Sequence, residues 1–270
     1  VFDLLRICGL SKNDRLIKFL NLQLKLYSQE DVYNTAALYG STVLQMSQQP
    51  YGLWHLKKSM QSLSEALEGS LNKTGANIIF GQKVHAIDFD DQNKCWKILA
   101  KSKKCFFEYF ANNLVYTPPP QSLLEKLKVP LKNKQTYKNR LDNLPEPSGA
   151  LVFYSALKKE HIKKLASNHY QFVSNILGSL FVSISQEGDG RAPKGEVTLI
   201  ASIFTKTKDW FGLDKSEYLE KKKEFLKKIS SELERQFDIA PENWLHKELA
   251  TPLGFEKWTN RPNGIVGGLG

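Results

Sequence analysis

The side chains that most often carry out chemistry in enzymes are few and scattered in this chain. No histidine forms a metal-ligand arrangement such as HExxH with another histidine or a carboxylate. The histidines are His55, His85, His161, His169 and His246. The sequence contains no GxSxG turn for a serine nucleophile and neither of the phosphate-binding loops GxxxxGK(S/T) and GxGxxG. The residues alone therefore predict no metal site and no catalytic group.

Size and composition set the next limits. The 270 residues, of which 41% are hydrophobic, suffice for a sizeable packed core and argue against disorder. No apolar run approaches the roughly 18 residues that a membrane-spanning helix needs. Cys8, Cys95 and Cys105 form no CxxC pair, so we expect a reducing compartment and no metal bound through sulfur. Because the sequence begins at Val1 and ends in a glycine-rich string, we interpret it as a fragment of a longer protein.

The charge balance is strongly basic. With 38 lysines and arginines against 28 acidic residues, the formal net charge is +10, which attracts polyanions such as nucleic acid or anionic lipid. Lysine supplies nearly all of this charge, and we see neither paired arginines nor aromatics interleaved with basic residues on a sheet, so we expect no nucleic-acid partner. A contact with anionic lipid and a lysine-rich solvated surface without any partner remain as alternatives.

Hydrophobic periodicity predicts three helices in the first part of the chain. Residues 15–27 are almost wholly apolar between a few charges, which indicates a helix that is buried on most sides. Residues 32–49 are expected to form a second helix that ends at Pro50. The third helix has apolar residues at helical spacing and is followed by Gly75 as a stop. Its apolar residues are Leu56, Met60, Leu63, Leu67 and Leu71.

Short β-rich runs follow the third helix and predict a meander. A polar turn at residues 90–93 separates two of the runs, and three prolines after Thr117 must end the last one, since proline cannot donate to a ladder. The expected strands are residues 78–80, 84–89, 95–99, 106–110 and 114–116.

The second half of the chain predicts an antiparallel sheet and one long helix. Residues 123–147 are basic and rich in proline, which suits a helix, a loop and a domain crossing. The expected strands are residues 150–154, 170–173, 179–185 and 196–205, with a hairpin loop at 186–194. Asp214 and Glu217 form a capping box at the start of the helix. The apolar stripe of this helix is Tyr218, Leu219, Phe225, Leu226, Ile229, Leu233 and Phe237. Composition and periodicity thus indicate a mixed α/β protein and stop short of an enzyme.

Three stretches of the chain resemble a known family. They are LQLKLYS at residues 22–28, QQPYGLWHLKKSMQSL at residues 48–63 and TPLGFEKWTNRPNGIVGGLG at residues 251–270. They are similar to the FAD-dependent carotenoid desaturases and isomerases of the phytoene desaturase type, within the amine-oxidase-like flavoproteins, and most resemble the cyanobacterial carotenoid 3′,4′-desaturases. The similarity extends along the whole chain.

The resemblance implies two α/β domains that alternate along the chain. One is a partial FAD-binding domain of the amine-oxidase-like type, formed by residues 51–121 and entered again at residues 256–270. The other is a substrate domain with a mixed or antiparallel sheet and covering helices, formed by residues 1–50, which are helical, and 122–255.

The resemblance also implies positions for the cofactor FAD. Val84 matches the residue whose main-chain groups bond to the adenine, and Thr117 and Pro118 match a turn beside the cofactor. Gly267 and Gly268 lead into the carboxy-terminal FAD motif. Because the GxGxxG loop for the pyrophosphate is missing, we expect the chain by itself to bind FAD poorly or not at all and to be inactive.

The implied reaction is removal of hydrogen from a carotenoid with hydride transfer to the flavin, in an apolar tunnel that needs no histidine or carboxylate base. The candidate lining residues, each of which also suits an ordinary core, are Leu16, Phe19, Leu20, Leu24, Trp54, Phe181 and Trp210. A carotenoid cis–trans isomerase and a non-catalytic lipid or carotenoid carrier are the alternatives. Since carotenoids dissolve in bilayers, we expect a cytoplasmic protein that rests peripherally on an anionic membrane.

Overall fold

The computed structural model describes residues 1–46, 56–130, 132–144, 148–163 and 165–266. Its helices are α1 (Phe2–Ile7), α2 (Asp14–Tyr27), α3 (Ala37–Met46), α4 (Gln61–Lys73), α5 (Leu123–Lys126), α6 (Lys134–Asp142), α7 (Lys215–Phe237) and α8 (Pro252–Thr259). Its strands are β1 (Lys83–Asp90), β2 (Cys95–Ser102), β3 (Cys105–Ala111), β4 (Ser148–Lys158), β5 (His169–Ser174), β6 (Gly178–Ile184), β7 (Glu196–Lys206) and β8 (Trp244–Ala250). None of these described helices has both the length and the apolar character that a bilayer span requires.

The chain divides into two compact units. The larger unit contains Val1–Ser62 and Pro147–Gly268, and the smaller unit contains Leu63–Glu146 with the last two residues. The predicted boundary at residues 121 and 122 differs from this division, because Leu127 bridges Ile87 and the amide of Lys128 donates to the Ile87 carbonyl over 2.8 Å. The segment at Leu127 and Lys128 therefore packs with the meander. The assignment of the domains to cofactor and substrate stays a prediction.

The start of the carboxy-terminal segment 256–270 packs in the larger unit, whereas we grouped this segment with residues 51–121. The amide of Val266 donates to the Ser148 carbonyl over 3.1 Å, which ties this segment to β4. Gly264 adopts a φ of +60°, and a Cβ at this position would lie 1.9 Å from the carbonyl oxygen of Pro252. Only glycine permits this close approach.

A five-stranded antiparallel sheet forms the centre of the larger unit. Its strand order is β5-β6-β7-β4-β8, and the four predicted strands are confirmed as β4 to β7. The loop at residues 186–194 joins β6 to β7 as expected, and the Asp189 carboxylate accepts the amides of Gln186 and Arg191 in it. Sequence analysis missed β8, because residues 245–248 of this edge strand are all exposed and the strand lacks the alternation that marks a strand in sequence.

Helix α7 seals one face of this sheet. The buried residues alternate along the strands, with Leu180, Val182 and Ile184 on β6, and they pack against Ile229, Leu233 and Phe237 of the helix. The core of this unit also contains Leu151, Phe153, Leu157, Val197, Leu199, Ala201, Ile203 and Leu249. Burial of each such side chain contributes about 1.5–3 kcal/mol, so this layer supplies most of the hydrophobic stabilisation of the unit.

The amino-terminal end of α7 has the predicted capping box. The Asp214 carboxylate accepts the amides of Ser216 and Glu217 over 2.7 and 2.9 Å, and the Glu217 carboxylate accepts the amide of Asp214 over 2.9 Å. The predicted stripe is wrong at Leu219, which is 52% exposed because it lies outside the part of the helix that touches the sheet. The rest of the stripe is buried or half-buried against the core.

Helix α2 begins and ends close to the predicted residues, yet it is not buried on most sides. Of its side chains only Leu24 is fully buried, together with Val32 and Val43 of the segment that follows. The helix contacts the sheet through a polar bond instead: the Gln23 side-chain amide donates to the Gln171 side chain over 3.0 Å. The predicted helix at 32–49 is confirmed as α3, but it begins at Ala37 rather than at residue 32, and residues 47–49 lie outside the described residues.

The smaller unit is built on the antiparallel sheet β1-β2-β3. Three predicted strands are confirmed, whereas residues 78–80 and 114–116 form no strand in the described part of the chain. Phe80 and Val115 are 74% and 83% exposed, because neither run lies beside a strand edge with which it pairs. The predicted third helix is confirmed as α4, but it begins at Gln61 rather than at residue 56 and exposes Leu63, Leu67 and Leu71.

Candidate functional site

A β-bulge lies at the residue predicted to contact the adenine. In the pairing of β1 with β2, Val84 lies opposite Ala100 and Ala86 lies opposite Leu99, so that His85 is the extra residue. A bulge bends the strand, interrupts the ladder of hydrogen bonds and is found frequently beside functional sites. The irregular main chain at Val84 is therefore a place where a ligand can approach the backbone.

A cleft of about 430 Å³ opens beside this bulge. Strand β1 contributes three residues to it, the end of β2 and the following turn contribute two, and α5 contributes two. The lining residues are Lys83, Val84, His85, Lys101, Lys103, Glu125 and Lys126. The bridge between Ile87 and Leu127 anchors the end of α5 to β1 and so fixes the cleft wall that carries Glu125 and Lys126.

The electrostatic character of the cleft is basic. Lys83, Lys101, Lys103 and Lys126 surround it, against Glu125 as its one lining acid. Lys97, further along β2, is neutralised within the sheet instead. Its ammonium lies 2.7 Å from the Glu108 carboxylate, and this hydrogen bond raises the pKa of Lys97. The cleft can therefore attract an anion through charges that the sheet itself does not neutralise.

Of the predicted cofactor residues, only Val84 lines this cleft. Thr117 and Pro118 are exposed in the segment that follows β3. That segment is fixed by a bond of 2.6 Å between the Tyr116 and Ser122 hydroxyls. Gly267 and Gly268 lie outside the described residues. The roles of all five in cofactor binding stay predictions.

In the larger unit, Phe181 lies on the sheet face opposite α7, which we call the open face. It alternates with Leu180 and Val182, which face the sealed core, and it is the register partner of Gln171, which bonds to α2. Phe181 is half-buried and stacks on the His169 ring at 6.1 Å between centroids. Phe181 is thus the predicted lining residue that the sheet places next to α2.

The remaining predicted lining residues have different surroundings. Trp210 is 1% exposed on the α7 side, packs against Tyr218 and Phe225, and donates from Nε1 to the Thr205 hydroxyl over 3.1 Å, as a core tryptophan does. It therefore lies across the sheet from Phe181. On α2, Leu24 is sealed, Leu16 and Leu20 are half-buried and Phe19 is 57% exposed, and Trp54 is outside the described residues.

The open face also brings together residues that sequence analysis missed. Two rows of register partners cross the sheet, and their side chains are half-buried or exposed. The first row is Phe181, Ser202 and Val152, and the second is Ser183, Ile200, Tyr154 and Glu248. Burial, followed by the charge of Glu248, raises the pKa of Tyr154, so that its hydroxyl stays neutral at physiological pH. The alternation of β7 was the signal that could have identified this face.

No protein-family model matches the sequence. The chain is similar to 4,4′-diapolycopene oxygenase from a Methylomonas species, with 25% identity over 165 residues. The matched region is 57% of this chain and 33% of the oxygenase, so the chain spans only about a third of that protein.

Two solved structures resemble the fold. An oxidoreductase from Methanosarcina mazei superposes with a TM-score of 0.57 and 14% identity, over 91% of this chain and 53% of its own. The two proteins therefore share a mixed α/β fold, in agreement with the class expected from the sequence. A RAB GDI from Plasmodium falciparum gives a TM-score of 0.31 and 13% identity over 63% of this chain and 31% of its own.

Proposed function

We propose that this protein belongs to a flavin-dependent oxidoreductase that removes hydrogen from a carotenoid. The similarity to 4,4′-diapolycopene oxygenase carries this proposal, because it connects the chain with an enzyme that oxidises a carotenoid. The fold shared with an oxidoreductase supports it. The scarcity of catalytic histidines and carboxylates agrees with a reaction in which the chemistry belongs to a cofactor.

The open face is the surface that we propose for the substrate. A polyene offers almost nothing to hydrogen-bond, so an apolar, water-excluding surface must hold it. Phe181, Val152 and Ile200 supply apolar contacts on three neighbouring strands, and their burial by a ligand would contribute about 25 cal/mol per Å². Tyr154 offers a neutral hydroxyl at the edge of this surface, which suits the polar end of an oxidised carotenoid.

The residues of the smaller unit fit one end of FAD. The main chain at Val84 is irregular and borders a cleft, as a backbone contact with an adenine requires. The glycine-rich loop that would bind the pyrophosphate is not in the sequence. When bound, the flavin supplies the hydride acceptor. In this proposal Val84 orients the adenine end through its main chain, and the open face orients the polyene and excludes water.

Product mass tests the reaction. A full-length protein that contains this chain together with a GxGxxG loop, supplied with FAD and an acyclic carotenoid, should give products that have lost two hydrogens for each new double bond. A gain of oxygen would instead favour oxygenation, which the name of the Methylomonas protein suggests as the second candidate. Products of unchanged mass would favour isomerisation and contradict both.

A pair of variants in the same full-length protein tests the open face. Phe181→Asp should lower turnover at least about tenfold, because a carboxylate on this surface opposes burial of a polyene. Leu219→Asp introduces the same charge at a 52% exposed side chain of α7, on the other side of the sheet, and should leave turnover unchanged. Circular dichroism and melting temperature establish that both variants are folded. Equal activity of the two variants would contradict a role for the open face.

The affinity for FAD is tested separately by flavin fluorescence. Because the sequence lacks the pyrophosphate loop, titration of this chain should show weak or no binding. Tight stoichiometric binding would show that the chain already contains a complete cofactor site and would contradict this expectation.

A further inference from the structure

The outer face of the three-stranded sheet carries lysines and exposed phenylalanines side by side. Lys83, Lys101 and Phe106 are register partners across the three strands, and Lys97 is the partner of Phe110. Directly paired residues point to the same side of a sheet, so these five residues share one surface, which we call the basic–aromatic face. Asp88, paired with Lys97, and Glu108, paired with Leu99, lie on the same side, so the excess of positive charge is confined to the end at Lys83, Lys101 and Lys103. Phe106 and Phe110 are 53% and 56% exposed. This arrangement corrects the expectation that no sheet in the protein interleaves aromatic and basic residues.

The positive charge at one end of this face has no acidic partner. Within the described part of the chain, Lys83, Lys101 and Lys103 form no ion pair, although Lys97 further along β2 is paired with Glu108. Lys103 occupies the turn between β2 and β3 at the same end. Here too opens the cleft of about 430 Å³, which has room for a small anionic group between these lysines and Lys126.

The lysines extend over the phenylalanine rings. The Lys101 ammonium lies 5.2 Å from the centre of the Phe106 ring, and the Lys97 ammonium lies 5.9 Å from that of Phe110. In this geometry the aliphatic stem of lysine covers apolar surface and its charged end stays in the polar layer. At a lipid interface the rings can enter the acyl boundary and the ammonium groups can reach the headgroup phosphates.

From these observations we infer that the basic–aromatic face docks on an anionic phospholipid surface, with a headgroup phosphate held at the end formed by Lys83, Lys101 and Lys103. Nucleic acid fits this face less well, because base stacking needs an open ring face and a lysine ammonium already lies over one face of each ring. Both this inference and the flavin proposal use the cleft beside β1, but through different groups: the lysine side chains here and the Val84 main chain there. Val84 follows Lys83 along β1 and points to the other side of the sheet.

Vesicle co-sedimentation tests the docking surface. The protein should sediment with vesicles that contain about one-third phosphatidylglycerol and not with pure phosphatidylcholine, and raising the salt from about 0.05 to 0.5 M should release it. Each lysine at such a surface contributes a factor of about five to binding, so the triple variant Lys83→Gln/Lys101→Gln/Lys103→Gln should bind at least about tenfold more weakly.

A matched variant removes the same charge elsewhere. Lys215→Gln/Lys223→Gln/Lys227→Gln changes three exposed lysines of α7 and should reduce binding no more than about twofold. Equal loss in both triple variants would show that net charge alone is responsible and would overturn the docking surface. Absence of binding to anionic vesicles, or binding to neutral vesicles that is just as strong, would overturn it as well.

Two further arms separate the remaining explanations. Phe106→Ser/Phe110→Ser should weaken binding to anionic vesicles at about 0.05 M salt, because the apolar contribution is lost while the lysines remain, whereas Leu219→Ser/Ile176→Ser, at two other exposed apolar residues, should not. Single-stranded RNA should not compete with the vesicles. RNA that displaces the vesicles, and whose own binding is lost in the Lys83/Lys101/Lys103 triple variant, would overturn lipid docking in favour of a nucleic-acid surface. The double phenylalanine variant keeps the lysines, so the test stands even if the lysine variant fails to fold.

Discussion

The two sheets of this protein have similar strands but different surroundings. In the larger unit α7 covers one face, and Leu180, Leu199 and Phe153 are completely buried there. In the smaller unit Phe106 and Phe110 also lie within a strand, on the outer face of the meander, yet more than half of each side chain is exposed. An apolar residue in a strand is therefore part of a core only where another element covers it.

This difference separates stability from binding. The covered face of the larger sheet obtains its free energy from burial, and its side chains are not available to a partner. The two uncovered surfaces, the open face of the larger sheet and the basic–aromatic face of the smaller one, contribute less to stability and are the ones to which we assign ligands. Mutations should therefore affect stability in the covered layer and binding on the uncovered surfaces.

The largest expected effect comes from Phe153→Ala. Phe153 is completely buried in the central part of the larger sheet, and its ring contacts Trp244 edge-on at 5.7 Å between centroids. Loss of the ring removes its hydrophobic contribution and leaves a cavity, which should lower the free energy of unfolding by about 3–5 kcal/mol. Urea unfolding monitored by circular dichroism measures this change.

Phe106→Ala is the matched control in the smaller unit. Because its side chain is 53% exposed on the outer face of the sheet, the same truncation should change the free energy of unfolding by no more than about 0.5 kcal/mol. Similar losses in the two variants would mean that the outer face of the meander is covered in the folded protein, and the contrast between the sheets would fail.

A pair of glycines extends the comparison to the backbone. Gly264 and Gly81 both have a positive φ, of +60° and +72°. A Cβ on Gly264 would collide with the main chain of Pro252, whereas a Cβ on Gly81 has nothing within 4 Å. Gly264→Ala should therefore cost about 3 kcal/mol or more, and Gly81→Ala only the strain of the left-handed backbone, about 1–2 kcal/mol.

Thermal unfolding of the two variants gives this difference directly. The difference between the two losses in free energy of unfolding is a sharper test than either loss alone, because both positions share the cost of the left-handed backbone. If Gly81→Ala were as destabilising as Gly264→Ala, the segment around Gly81 would have to be as closely packed as that around Pro252.

The accuracy of the sequence predictions follows the same division. The alternation of β6 and β7 and the apolar stripe of α7 were sufficient to predict those elements, because covered positions must be apolar. Residues 78–80 and 114–116 are equally β-rich, but a strand also requires a free edge, and edges depend on contacts distant in sequence. The edge strand β8 was missed for the converse reason, since it has a strand to pair with but no alternation of buried and exposed residues.

The candidate sites were less predictable than the fold. The resemblance placed Val84 in a strand, but only the register shows the bulge there, because it depends on how β1 and β2 pair. The basic end of the cleft brings together Lys83, Lys103 and Lys126, which are more than 40 residues apart at the extremes. No local spacing encodes such a cluster. Trp210 illustrates a different difficulty: a tryptophan suits a ligand cavity and a packed core equally well, so its residue type did not predict the core in which it lies.

A moderate effect is expected at the capping box of α7. Asp214→Ala removes the acceptor of two backbone amides at the start of the helix that seals the larger sheet. The free energy of unfolding should fall by about 1 kcal/mol. Asp214→Asn keeps an oxygen that can accept these amides and should recover most of the loss in urea unfolding. A loss in the asparagine variant as large as in the alanine variant would assign the effect to charge and not to the cap.

The smallest effect concerns the exposed turn of the meander, where Asp90 accepts the amides of Gln92 and Asn93 over 2.9 and 3.0 Å. The backbone hydrogen bond from Asn93 lowers the pKa of Asp90 below its ordinary value of 3.8. The ionised carboxylate therefore supports the turn fully above pH 3.8, and its contribution is lost as the pH falls from there through the lower pKa of the folded state.

Amide exchange at Gln92 and Asn93 should accelerate over that acid range, relative to the intrinsic rate, in the wild type. In Asp90→Asn, which has no proton to bind, this dependence should disappear while the amides of β7 remain protected in both proteins. If exchange accelerates equally in the variant, the strands on either side stabilise the turn and the Asp90 carboxylate does not.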